Sequence, residues 1–345
     1  MIYSWQIKHW NRLLGQPGRI PHALLLSGPQ GGGKAEFTQA LAARLLCETA
    51  QDAALACGQC VSCKLFSGGN HPDYRGIFPG SDESDDADSD TEVGPAKKKS
   101  DQIRISQIRA LDELIGIGTH RSGKRVILIQ PAEAMNPATA NSLLKVLEEP
   151  SPSTIFILIT NNKRRLLPTV LSRCRVLSFP KPAASQALDC LHATGVKHVE
   201  ELLAHAGGMP LAAIEEANQW GRMNEFFQDL SNIGRAGPVV IAGRWETWLK
   251  EGKEADIALD KRTLVTWLQK WVFDLILVKR CGKAFYHSHL LQEVRNAAAG
   301  ASIAALFDCY NDLLRIKAVS QHPLNPRLFI EDILSRYARA ATSGR

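Results

Sequence analysis

Residues 22–37, HALLLSGPQGGGKAEF, constrain this 345-residue chain more than any other stretch. An apolar run leads straight into glycines and a lysine with the spacing of a phosphate-binding loop, G-x-x-x-x-G-K-[ST], placed on Gly28, Gly33, Lys34 and Ala35. Such a loop cradles phosphate only between a buried strand and the start of a helix, where backbone N–H groups point at the anion. The sequence supplies that context. A helix is predicted from about Lys34 to Leu46, with Phe37, Leu41 and Leu45 along one face. Two more continuous apolar runs, RVILIQ (125–130) and TIFILIT (154–160), read with 22–28 as strands buried on both sides. That pattern predicts a parallel sheet covered by helices, hence an α/β domain.

One position is wrong for hydrolysis. The last residue of the loop motif supplies a hydroxyl to Mg²⁺, and here it is Ala35.

The chain has eight cysteines, four of them within seventeen residues: Cys47, Cys57, Cys60 and Cys63. With no signal peptide expected, such clustering favours metal over disulfides. Four thiolates complete a tetrahedral zinc shell with no open position, so the expected Zn²⁺ is structural. His71, in GNHPDY, is a competing candidate ligand, although that segment reads better as a turn. Four reduced buried cysteines, or redox use of Cys60 and Cys63, are the alternatives.

Formal net charge is +6, yet seven acids crowd into SDESDDADSDTE (81–92), and without them 41 basic residues face 28 acidic ones. A basic body favours nucleic acid as a partner and equally describes a merely soluble protein. The segment 80–100 is too poor in apolar residues to offset ordering and is expected to be a disordered surface loop. LVTWLQKWVFDLILV (264–278) is the longest apolar region, but Gln269, Lys270 and Asp274 make it a buried helix rather than a membrane span. A soluble, cytoplasmic protein without membrane contact is expected.

Ser106 is the predicted cap of a helix carrying Ile108, Leu111 and Ile115, and Asn136-Pro137 opens another that Pro150 stops. FPKPAA near residue 180 reads as a linker. Beyond it the period is helical, ending in a helix after Asn325-Pro326 with Ile330, Ile333, Leu334 and Tyr337 on one face.

HALLLSGPQGGGKAEF, CGQCVSC, GNHPDY, NSLLKVLEEP, LPTVLSRCR and HPLNPRLFIEDIL, in this order, resemble the bacterial clamp-loader subunits of the AAA+ superfamily, over nearly the whole chain. Within that family the chain is most similar to the delta-prime branch of DNA polymerase III. The resemblance implies an AAA+ α/β domain at 1–179 with a zinc-binding insertion at 47–63, a helical lid at 180–222, and an all-α collar at 223–345 that oligomerises. It implies a hetero-oligomeric ring with gamma/tau ATPase subunits and a delta subunit, acting on a sliding clamp and primed DNA within a DNA-directed DNA polymerase (nucleotidyltransferase) holoenzyme.

Active members of the family carry an acidic pair after the second of these strands and an arginine in the lid. Here Gln130 and Pro131 take the place of the acids, Glu133 lies further on, and AGGMPLAA offers Pro210. With Ala35, these departures imply a subunit without intrinsic ATPase, in which ATP or ADP binding is left open to Lys34 and the loop amides. The family's Ser-Arg-Cys motif falls on Ser172, Arg173 and Cys174. It implies that Arg173 acts in trans as an arginine finger, its planar guanidinium meeting charge on a neighbour's γ-phosphate. Arg175 is expected to be structural, and Lys163, Arg164 and Arg165 to form a solvated basic loop. Two rival readings stay open on sequence: an ATPase motor subunit of the gamma/tau kind, and a zinc-dependent DNA-binding module on an inert AAA+ fold.

Overall fold

The computed structural model describes residues 2–15, 20–49, 54–80, 101–121, 123–254, 259–320 and 322–344. The acidic segment expected to be disordered falls, from 81 to 100, outside the described residues. The chain divides into two compact units, Met1–Ala183 and Ala184–Arg345.

The first unit opens with helix α1 (Ile7–Leu14), then strand β1 (Ala23–Ser27) and α2 (Lys34–Leu46). A short α3 (Val61–Ser67) precedes β2 (Tyr74–Ile77), followed by α4 (Ile105–Gly116), β3 (Arg125–Ile129) and α5 (Pro137–Glu148). β4 (Thr154–Thr160), α6 (Pro168–Arg173) and β5 (Arg175–Ser178) complete it. The five strands form one parallel sheet in the order β2-β3-β4-β1-β5. β1 is interior, with Leu25 opposite Leu158 of β4 and Val176 of β5.

The three long apolar runs are strands because both faces of the sheet are covered. Leu24 and Leu26 pack with Trp10, Phe37, Leu41 and Leu45 from α1 and α2. Ala23 and Leu25 point the other way, into a core with Ile108, Leu111, Leu143, Leu147 and Val170 from α4, α5 and α6. Two strands escape a reading by apolar runs, β2 and β5. They are the sheet's edges, and each buries a single residue, Ile77 in β2 and Leu177 in β5.

Helix boundaries follow local chemistry. Asn136 caps α5 by accepting from Thr139 N at 2.9 Å, with Pro137 in the first turn. The expected cap at Ser106 is corrected: the N-cap of α4 is Arg104, two residues earlier, and Gln107 Oε1 accepts from Arg104 N at 2.8 Å. A capping-box glutamine therefore serves the helix end in place of a serine.

The second unit is all-helical: α7 (Ala184–Ala193), α8 (Val199–His205), α9 (Pro210–Ala217), α10 (Trp220–Ser231), α11 (Ile233–Ala236), α12 (Pro238–Glu254), α13 (Lys261–Cys281), α14 (Leu291–Ala299), α15 (Ile303–Val319) and α16 (Pro326–Thr342). It holds two hydrophobic cores. The smaller gathers Ala187, Leu191, Leu202 and Ala213 from α7–α9. The larger centres on Phe226, Trp245, Trp267, Trp271 and the α16 face of Ile330, Ile333, Leu334 and Tyr337. Asn325 caps α16 through Leu328 N. The boundary expected at 222/223 falls inside this unit, near the start of α10. Among the described residues no helix is long and apolar enough to cross a membrane.

Candidate functional site

The glycine loop leaves β1 and enters α2 as a phosphate cradle requires. Gly28 runs so close to the end of β5 that a Cβ would collide with the Phe179 carbonyl. Gly33 caps α2 at φ +85°, a left-handed conformation that glycine adopts without strain. Lys34 is buried, and its Nζ donates to the carbonyls of Gly28 (2.9 Å) and Pro29 (2.7 Å), folding the loop around its own lysine. Burial lowers the Lys34 ammonium to about 8, against the opposing pull of Glu133 and Glu36. Glu133 therefore lies within electrostatic reach of the loop, its Oε1 accepting from Asn161 N at 3.0 Å.

The N-terminal turn Ser4–Gln6 covers the loop's carbonyl side. Gln6, fully buried, donates from Nε2 to Gly33 O at 2.7 Å, and Trp5 Nε1 donates to Gly32 O at 3.1 Å. Sequence reasoning missed both, and no local pattern marks them. What the cradle lacks is a side-chain hydroxyl at its last position. Ala35 has none to offer, and β3 ends into Gln130 and Pro131, neither of which carries a charge. Pro210, in the second unit, is the first residue of α9.

The cysteines come together. Cys47 is the C-cap of α2, Cys60 the N-cap of α3, Cys63 lies inside α3, and Cys57 on the loop before it. All four Sγ atoms lie within 4.8 Å of one another, with Cys47–Cys60 at 4.0 Å and Cys57–Cys63 at 3.9 Å. A tetrahedral shell with 2.3 Å metal–sulfur bonds needs sulfurs about 3.8 Å apart, so the cluster fits. Backbone N–H groups of Cys57, Gln59, Cys60 and Cys63 point at these sulfurs from 3.3–3.4 Å, which favours thiolate. A hydrogen bond from Thr49 and the Cys60 and Gln59 amides bring the Cys57 thiol down to about 5, while burial pushes Cys63 up to about 12. A bound cation reverses that last penalty. These four residues can hold a metal ion.

His71 is not among them. Its Nδ1 accepts from Asp73 N at 3.0 Å, which leaves the ring proton on Nε2, 2.7 Å from Ser62 Oγ. Ser62 in turn donates to Leu46 O, the carbonyl just before Cys47. Asp73 extends the chain by accepting from the amides of His120 and Arg121. GNHPDY is thus a turn, as expected, and it ties the cysteine module to α2 and to the loop before β3.

Arg173 is the last residue of α6, with Ser172 exposed beside it. Its guanidinium forms an ion pair with Glu148 at the end of α5, and Nη1 donates to Thr169 O at 3.0 Å and weakly to Ser172 Oγ. Cys174 is buried in the core shared by α5 and α6, where burial raises its thiol to about 11. It anchors the backbone and offers no thiolate. Lys163, Arg164 and Arg165 form an exposed single turn, and Arg175 is exposed on β5.

A parallel sheet whose interior strand runs through a glycine loop into a helix, joined to an all-helical unit, defines an AAA+ P-loop protein, here one whose loop lacks the magnesium-binding hydroxyl. The family model described as DNA polymerase III, delta subunit, matches residues 4–183, and the chain belongs to that family, on its delta-prime branch. DNA polymerase III subunit delta' of Pseudomonas aeruginosa is 40% identical over 216 residues, 61% of this chain and 60% of that protein. The Bacillus subtilis subunit delta' is 30% identical over 259 residues, 72% of this chain and 71% of that one. The match thus spans 60% of the length of the Pseudomonas relative. Among solved structures, a DNA polymerase III gamma subunit-related protein from Thermotoga maritima aligns over 97% of this chain and 99% of that chain, at 15% identity and a TM-score of 0.45.

Proposed function

We propose that this chain is the non-hydrolysing stator of a DNA polymerase III clamp loader. It works in the cytoplasm, in a ring with gamma/tau ATPase subunits and a delta subunit, during loading of the sliding clamp on primed DNA. The observation that carries this reading is a phosphate loop folded around Lys34 with no oxygen at Ala35 and no acid at Gln130 or Pro131. Phosphoryl transfer depends on a metal held against the β- and γ-phosphates and on an oriented nucleophile. Neither can be set up by an alanine methyl, an amide and a proline.

In this reading the first unit is the AAA+ domain, α7–α9 form the lid, and the larger helical core beyond residue 222 is the collar that oligomerises. Arg173 reaches the nucleotide of an adjacent motor subunit, while Ser172 and Cys174 shape the turn that presents it. The four cysteines hold zinc: four soft donors fill a tetrahedral shell and leave no site for substrate, so the metal anchors an irregular loop. Nucleotide held by Lys34 and the loop amides is bound without turnover.

The test is reconstitution. The isolated chain shows no ATP hydrolysis above background. In the assembled complex, Arg173→Ala preserves assembly and slows the one neighbouring site it serves by roughly 10³-fold, the low end for a trans arginine. Magnesium-dependent turnover that survives removal of contaminating ATPases, or a variant complex that loads clamps at full rate, overturns the reading.

A further inference from the structure

We propose that Glu148 is a positioning residue for Arg173, holding the finger in place before a neighbour's nucleotide arrives. The inference rests on the reading of Arg173 as a trans finger and adds to it the residue that aims it.

The local sequence does not account for the pair. Glu148 and Glu149 end α5, where the exposed carbonyls make the helix terminus negative and a carboxylate is disfavoured. An isolated helix would gain by losing these charges. Here Glu148 is offset by a cation from the end of a different helix, Arg173 of α6. The two helices share one core through Leu143, Leu147 and Val170, so the carboxylate and the base of the arginine sit on a common rigid support.

The arginine is held at three levels. Cys174 and Val170 bury the backbone on either side. Thr169 O takes Nη1, and Glu148 takes Nη2. Nε has no partner among the described residues, so the guanidinium keeps donors for an incoming phosphate while its plane is fixed. A long side chain at a half-exposed site otherwise samples many rotamers, and a finger is effective only when already aligned with the transferring phosphate. Thr169 restrains one nitrogen; among the described residues, Glu148 alone supplies a charged acceptor to the other.

The experiment uses the reconstituted clamp loader and ATP, with Glu148→Ala, Glu148→Gln, Arg173→Ala and the double variant. Glu148→Ala is expected to lower kcat at the neighbouring site roughly tenfold, the order of cost for a misplaced group, with KM for ATP unchanged. Glu148→Gln, which keeps an acceptor without the charge, is expected to recover part of that loss. The double variant should be no slower than Arg173→Ala, because a positioning residue has nothing to position once the arginine is gone. If Arg173→Ala impairs the complex and Glu148→Ala does not, or accelerates it, the positioning role is wrong and the finger stands. Additive losses in the double variant overturn it too, by showing a separate route. If Arg173→Ala has no effect, the finger itself is wrong.

Discussion

Replacing His71 by alanine tests whether GNHPDY is scaffold or metal ligand. The imidazole is buried, and its removal strands Asp73 N, whose hydrogen bond to Nδ1 is 3.0 Å and whose residue is fully buried. An orphaned buried donor costs about 1–3 kcal/mol. The void left by the ring, roughly 60 Å³, adds about 1.5 kcal/mol at ~24 cal/mol per Å³. Ser62 loses its partner at Nε2 but keeps Leu46 O, which limits the damage there. A total near 3–4 kcal/mol in a unit ending at Ala183 corresponds to a fall in Tm of roughly 10 °C. Metal content, by contrast, should equal that of the parent protein, because both ring nitrogens are engaged away from the sulfur cluster. Calorimetry together with metal analysis of protein prepared without chelator measures both quantities. A variant that melts within a degree or two of the parent, or that loses its metal while keeping its stability, would refute the scaffold role.

Two further outcomes concern the helical unit. His205 and His287 are buried, and burial lowers both imidazoles, His205 to about 3 with the nearby Lys270 charge adding to the effect. The unfolded chain protonates them near pH 6.5 and the folded chain does not, so their contribution is fully present above about 6.5 and is lost as pH falls below it. Melting of this unit should therefore drop between pH 7 and 5, and a flat profile over that range would contradict the neutral assignment. Tyr337 accepts from Trp271 Nε1 at 2.8 Å and donates to Leu230 O at 3.2 Å in the centre of the larger core. Tyr337→Phe takes the acceptor from buried Trp271 Nε1, while Leu230 O keeps the Asn232 amide, and should cost about 1–3 kcal/mol in denaturant unfolding, more than a phenylalanine swap at an exposed tyrosine.

Much of this protein follows from residues near one another in the chain. Continuous apolar runs marked β1, β3 and β4 because strands covered on both faces have no polar side to show. Asn136, Asn325 and the glycine loop announced helix starts, since a cap is a contact between residues three apart. The cysteine spacing placed its four sulfurs together for the same reason, with three of the four on a single short turn and helix. Alanine at position 35 needed no structure at all. What only tertiary structure decided were pairings between distant residues. These include Gln6 and Trp5 on the loop carbonyls, Glu133 beside Lys34, His71 on Ser62, and Glu148 on Arg173. The edge strands β2 and β5 belong with them, because an edge is defined by the neighbour it lacks. Periodicity reports which face of an element is buried. It carries no information on which polar group the folded chain will set opposite another, and hydrogen bonds and ion pairs, being short-ranged and directional, depend on that placement alone.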